Sequence, residues 1–174
     1  MKYWITVILL CAAGAASAHP GHADAGLTSG LMHPLAGVDH WLAMLGLGLW
    51  SRAAKLQAKV ILTAGAALCF GAFVQPGLPA VESLLAASVL VAALMAAGAT
   101  RLPAWLGLAL AAGFCVVHGQ AHGQELLGAA AAAGAIASSL LLLAGGWLAA
   151  SSTQVLRTAP AMLAVAGTAL FAMA

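Results

Sequence analysis

The sequence predicts an all-α membrane protein, with six transmembrane helices after a cleavable signal peptide. Three observations carry this prediction: 64% of the 174 residues are hydrophobic, only 6% are charged, and the mean hydropathy is +1.05. Such a composition is typical of membrane proteins and not of soluble domains. At about 20 residues per span, the chain has room for about six helices and no extramembrane domain. Its few, scattered basic residues do not form a nucleic-acid-binding surface.

The first eighteen residues are typical of a secretory signal peptide. Lys2 precedes an apolar run, and Ala16-Ser17-Ala18 matches an A-x-A cleavage site. We therefore expect a signal peptide at residues 1–18 and a mature chain that begins at His19. An uncleaved membrane anchor is the alternative.

Six apolar stretches follow a short polar segment, residues 19–30, which we expect on the periplasmic side. Charges, prolines or small polar clusters separate the stretches. Together they form the predicted membrane domain, residues 31–174. The predicted helices are 31–50, 56–74, 80–99, 102–117, 125–150 and 155–174.

The basic residues predict how this bundle lies in the membrane. Lys and Arg accumulate in cytoplasmic loops. With the mature N-terminus outside, the first, third and fifth loops are cytoplasmic, and these hold every basic residue of the mature chain: Arg52, Lys55, Lys59, Arg101 and Arg157. All histidines and acids then fall in the outer half of a bacterial inner-membrane protein.

Two histidine-acid clusters interrupt the apolar sequence. The first contains His33, Asp39 and His40, and the second contains His118, His122 and Glu125. Ionisable residues at membrane depth are costly and usually functional. Packing is the alternative for any single histidine, but it explains poorly two clusters that the topology places on one side of the membrane.

The second cluster has the spacing of metal ligands on a helix. His118, His122 and Glu125 recur at i, i+4 and i+7 and so share one face. We expect this cluster at the junction of the fourth and fifth helices. Imidazole and carboxylate without thiolate indicate a borderline divalent ion, although ligand type alone does not separate Ni, Co and Zn.

The first cluster looks like a helix start, because Pro34 is favoured at the first helical position and His33 would then be the cap. On an unbroken helix, His33 and His40 lie about 10 Å apart, too far to share an ion. Either Gly37 permits a distortion, or the two histidines serve successive positions. Asp39 could bind the ion or hold a histidine ring.

Other potential ligands are weaker candidates. His19 and His22 lie in the polar segment and could collect metal there. Cys115 precedes His118 by three residues, yet a buried cysteine usually behaves as a small hydrophobe. The three cysteines lack paired spacing, so neither a disulfide framework nor a thiolate zinc site is expected.

Both clusters together resemble the HupE/UreJ family of bacterial nickel and cobalt permeases. The matching residues are His33-Pro-x-x-Gly-x-Asp39-His40 and His118-Gly-x-Ala-His122-Gly-x-Glu125. The resemblance implies secondary uptake of Ni²⁺, with Co²⁺ as a second substrate and no bound cofactor. It also implies a link to hydrogenase or urease maturation and a transport role for the histidines and acids of both motifs. Val117 stands where the family commonly has phenylalanine.

We therefore expect a permease. The chain has no phosphate-binding loop, so ATP is not its direct energy source and a gradient must drive transport. A ligand imidazole must be neutral, so metal binding should weaken as pH falls through the ordinary histidine pKa of about 6.5.

Two other functions are compatible with the same ligands. The first is an intramembrane zinc-dependent hydrolase, since histidines and a carboxylate can hold a catalytic zinc. It is disfavoured because we expect no serine or second polar residue near the clusters that could position a substrate. The second is a metal sensor or assembly subunit that binds metal without moving it.

Overall fold

The computed structural model describes residues 26–99 and 101–174, which form seven α-helices and no strand. The helices are α1 (Leu27–Ala36), α2 (Val38–Ala53), α3 (Gln57–Val74), α4 (Val81–Ala97), α5 (Ala104–Glu125), α6 (Ala129–Ala149) and α7 (Thr153–Met173). The expected signal peptide and the weaker candidates His19 and His22 lie outside the described residues.

Four of these helices are long and apolar enough to cross a membrane, judged by length and composition: α3, α5, α6 and α7. Helix α4 is also apolar but has 17 residues. The first apolar stretch is divided between α1 and α2. The predicted all-helical architecture is thus confirmed.

The first stretch differs from the prediction in where it begins and in its continuity. It starts at Leu27, within the segment expected to be polar and periplasmic, and it is interrupted at Gly37, whose backbone is extended. The prediction of His33 as a cap and Pro34 as the first helical residue is wrong, since both lie near the end of α1. Pro34 cannot donate to the carbonyl of Gly30, which weakens the last turn and explains why α1 ends soon after it.

The fourth helix is longer than predicted. Its expected end was Val117, where the sequence becomes polar, but α5 continues to Glu125. The second cluster therefore occupies the last two turns of α5 and not a junction. These turns remain helical because His118 and His122 are buried inside the bundle. The connection to α6 is short and contains Gly128 at a φ of 87°.

Backbone contact through glycines sets how the helices pair. A Cβ on Gly30 would overlap the backbone of Ala131, and one on Gly48 would overlap the carbonyl of Leu143. Contacts that lie later in the α1–α2 stretch thus involve residues that lie later in α6. The interrupted stretch therefore runs parallel to α6, at the close distance that small residues permit in membrane bundles.

Helices α3 and α5 pair in the same way. Gly119 approaches the backbone of Leu68, and Gly123 approaches that of Ala72 four residues further along. These two helices therefore also run parallel, and their last turns lie side by side. Helix α4 packs between α2 and α7.

The end of the bundle away from the histidines carries the basic residues. The ring of Trp50 at the end of α2 packs against Gly107 at the start of α5. The Arg52 guanidinium lies 4.7 Å from the centroid of the Trp147 ring near the end of α6. The two histidine clusters lie at the other ends of these same helices.

The contact between α3 and α5 predicts a sharp difference between two glycines of α3. We expect Gly71→Ala to lower the free energy of unfolding by roughly 1–3 kcal/mol, because its Cβ would overlap the Val116 carbonyl. Gly65→Ala should be neutral or stabilising by up to about 1 kcal/mol, since its Cβ would meet Leu140 at an ordinary 3.8 Å. Thermal denaturation of the purified variants in detergent measures both. Equal stability of the two variants would contradict this packing.

Candidate metal site

Four histidines from three helices lie together at one end of the bundle. Their ring centroids are 4.8 Å apart for His40 and His118, 5.0 Å for His40 and His122, 5.3 Å for His33 and His122, and 6.0 Å for His33 and His40. His40, His118 and His122 are buried, whereas the side chain of His33 is 25% exposed. The fold thus joins the two clusters into one polar centre.

The interruption at Gly37 brings the two histidines of the first cluster within reach of each other. Their rings are 6.0 Å apart, instead of the roughly 10 Å expected on a continuous helix. A Cβ on Gly37 would lie 2.8 Å from His40 Nδ1 and 3.0 Å from Asp39 Oδ1. Glycine at this position therefore leaves space for the two side chains.

Asp39 contacts the neighbouring histidine ring. Its Oδ1 lies 3.1 Å from His40 Nδ1. A carboxylate only accepts, so His40 donates from Nδ1 and the lone pair of its neutral ring is on Nε2. Within the described residues, His40 Nε2 is buried and has no hydrogen-bond partner. A carboxylate that orients a ligand histidine in this way is common at metal sites.

The other two buried histidines each contact a serine from a different helix. Ser88 Oγ of α4 lies 2.9 Å from His118 Nε2, and Ser139 Oγ of α6 lies 3.3 Å from His122 Nε2. In both rings Nδ1 is buried and has no partner in the part of the chain that the structure describes. Each ring therefore has one nitrogen held by the protein and one left free.

The expectation that no serine lies near the clusters is wrong. Distance along the sequence was a poor guide, because α4 and α6 pack against the helices that carry the histidines. The sequence did hold a signal: Ser88 and Ser139 are isolated polar residues inside apolar stretches. Serines in membrane helices often form hydrogen bonds to neighbouring helices, and here both serine oxygens contact an imidazole.

A partly exposed contact between a histidine and a carboxylate lies at the edge of the site. His33 Nε2 is 2.8 Å from Glu125 Oε2, and the Glu125 side chain is 43% exposed. This contact joins the end of α1 to the last residue of α5. With it, all six residues predicted from the motifs lie in one region: His33, Asp39, His40, His118, His122 and Glu125.

Three of these histidines have ligand atoms close enough to hold a metal ion. One nitrogen each from His33, His40 and His122 lies within 4.8 Å of the other two. Nitrogens bound to one ion at about 2.1 Å can be at most about 4.2 Å apart, so shifts of less than an ångström would bring them to an ion. Cys115 does not belong to this group and packs in the hydrophobic core.

A buried glutamine, which the sequence analysis did not single out, fixes the loop beside the site. Gln120 donates to the carbonyl of Leu78 at 3.1 Å and accepts from its N–H at 2.9 Å. Gln75 donates to the carbonyl of Gly123 at 2.8 Å. These bonds attach the α3–α4 loop to the turns of α5 that carry the histidines. Val117 packs beside them against Leu85.

Comparison with known proteins agrees with the motif resemblance. Residues 7–174 match the family described as HupE / UreJ protein. Protein HupE of Rhizobium leguminosarum bv. viciae is 33% identical over 135 residues, which cover 72% of this chain and 68% of that protein. No solved structure matches the chain. The family match over almost the whole chain and the identity to Protein HupE show that the protein belongs to the HupE/UreJ family, a family of transporters and not of enzymes.

Proposed function

We propose that this protein is a secondary transporter that takes up a divalent transition metal across the bacterial inner membrane. Its main substrate is Ni²⁺, and Co²⁺ is a second one. The observation that carries the proposal is the convergence of four imidazoles and two carboxylates from α1, α2 and α5 inside an apolar bundle. Membership of the HupE/UreJ family supports the same function.

The chemistry of these side chains suits such a substrate. Neutral imidazole nitrogens bind Ni, Cu, Zn and Fe well, and carboxylates add negative charge. An ion that leaves water needs replacement ligands, because an isolated charge in an apolar medium is very costly. The free nitrogens of His40, His118 and His122 could supply such ligands in a region from which water is largely excluded.

For the arrangement in the membrane, we propose six spans. Helices α1 and α2 together form the first span, and the short α4 forms the third. An interrupted helix is tolerated at membrane depth where it lines a binding site, as α1 and α2 do here. The basic residues lie at the end opposite to the histidines, which supports a periplasmic position for the site and for the mature N-terminus. A cleaved signal peptide is consistent with that orientation.

The gradient of exposure suggests a route for the ion. The His33–Glu125 pair is partly exposed and would meet the ion first, and the buried imidazoles would receive it next. In this proposal a metal or proton gradient drives uptake, since the chain has no nucleotide-binding loop. The imported metal would serve hydrogenase or urease maturation, as the family resemblance implies.

The hydrolase alternative gains nothing from the two serines. The hydroxyl of Ser88 lies 2.6 Å from the carbonyl of Leu85, to which it donates its only hydrogen, and both serines are buried. Both hydroxyls contact buried histidines inside the bundle, so neither is placed to position a substrate at an open site. A sensor or assembly subunit, by contrast, differs from a transporter only in lacking flux.

Reconstitution tests this proposal directly. We expect the purified protein in liposomes to carry Ni²⁺ to an internal metal-sensitive dye, with Co²⁺ competing better than Zn²⁺. His40→Ala and His118→Ala should each slow uptake by more than about tenfold, because losing a group that merely orients a ligand already costs 10- to 100-fold. Glu82→Gln, which changes an exposed acid on α4, is the control. Binding without uptake by the wild-type protein would favour a sensor and contradict transport.

A second prediction concerns the carboxylate that holds His40. Asp39→Asn should weaken Ni²⁺ binding by roughly 10- to 100-fold, because an amide no longer selects the ring form that leaves Nε2 free. Isothermal titration of the detergent-purified variants gives the dissociation constants. Glu82→Gln should bind as the wild type does. If both variants bound Ni²⁺ equally well, Asp39 would have no part in the site.

A further inference from the structure

The hydrogen bonds of Ser88 extend the site to a helix that carries neither sequence motif. We propose that Ser88 is a positioning residue, which fixes His118 as the Nε2–H tautomer and so makes Nδ1 its metal-binding nitrogen. The identity of the ligand rests on the proposed function, whereas the tautomer follows from the contacts of Ser88 itself.

A count of hydrogens gives the tautomer. A serine hydroxyl has one hydrogen to donate and two lone pairs that accept. Ser88 Oγ lies 2.6 Å from the carbonyl oxygen of Leu85, one turn earlier on α4, and a carbonyl can only accept. The single hydrogen is therefore committed to Leu85. The contact of 2.9 Å between Ser88 Oγ and His118 Nε2 must then be a hydrogen bond that the imidazole donates.

This tautomer determines the state of the other ring nitrogen, Nδ1. A neutral imidazole that carries its hydrogen on Nε2 has its lone pair on Nδ1. His118 Nδ1 is fully buried and has no partner among the described residues. A buried polar atom without a partner is energetically costly, so an acceptor left free in this way is well suited to receive a cation.

The neighbouring ring shows the same arrangement with a different partner. His40 lies 4.8 Å from His118 between ring centroids, and Asp39 occupies its Nδ1 while Nε2 is free. The free nitrogens of the two adjacent rings are thus opposite ones, and in each ring the group that contacts the other nitrogen determines which nitrogen is free. Ser88 does for His118 what Asp39 does for His40.

The chain contains a close control for this role. Ser51 of α2 is also fully buried, and its Oγ lies 2.7 Å from the carbonyl of Gly48, again three residues earlier. Within the described residues it has no hydrogen bond to a histidine. Ser51→Ala therefore removes the same type of serine–carbonyl bond as Ser88→Ala, but it leaves every imidazole contact intact.

The first measurement is the tautomer itself. NMR of protein labelled with ¹⁵N-histidine distinguishes the two ring forms without metal, and the signal that disappears in His118→Gln identifies His118. We expect the Nε2–H form in the wild type, in Ser51→Ala and in Ser88→Thr, which keeps the hydroxyl. In Ser88→Ala the Nδ1–H form should appear. A wild-type His118 in the Nδ1–H form, or an unchanged tautomer in Ser88→Ala, overturns the proposal.

The second measurement is Ni²⁺ affinity by titration of the same proteins. We expect a loss of roughly 10- to 100-fold in Ser88→Ala and near wild-type binding in Ser51→Ala and Ser88→Thr. Equal losses in the two alanine variants would indicate packing alone and overturn the role of Ser88. If the wild type bound no Ni²⁺, the proposed function would fail, and the positioning of His118 would still be decided by the tautomer.

Discussion

Gly37 leaves the helical conformation between α1 and α2, and the geometry of the polar centre depends on this one change of backbone direction. A continuous helix would keep His33 and His40 about two turns apart, whereas the interruption brings their rings to 6.0 Å. The missing Cβ also leaves space for Asp39 and His40 to bond side by side. Proline supports the interruption, because Pro34 removes a hydrogen bond from the last turn of α1. Both α1 and α2 pack against α6, which holds the interrupted stretch in place.

Close backbone packing makes it possible to bury this many polar groups among apolar helices. Glycines let α1 and α2 approach α6, and α3 approach α5, until backbone meets backbone. Such packing orients each imidazole against a fixed partner: Asp39 on its own helix, Ser88 on α4 or Ser139 on α6. The protein thus holds one nitrogen of each buried ring and leaves the other free. Packing of a hydrophobic core does not require this pattern, whereas the proposed metal site does.

The site also changes character with depth. At its edge, the His33–Glu125 pair is partly exposed and combines a carboxylate with an imidazole, a combination that attracts a hydrated cation. Deeper in, the groups are buried imidazoles, and one of them, His40, also contacts the carboxylate of Asp39. Gln120 and the α3–α4 loop keep the last turns of α5 in position beside the site.

The sequence by itself determined the membrane class, the positions of the apolar stretches and the six motif residues. Hydropathy and the spacing of ionisable groups are local properties, which can be obtained from the sequence without knowledge of the fold. The ends of the helices were harder to predict from the sequence. The polar turns after Val117 resemble a junction between helices, but burial in the bundle keeps them helical to Glu125. Only the tertiary structure decided that the helix is interrupted at Gly37. It also decided that Ser88 contacts His118 and that Ser139 contacts His122. Those contacts join helices distant in sequence, and their partners are set by how the helices pack.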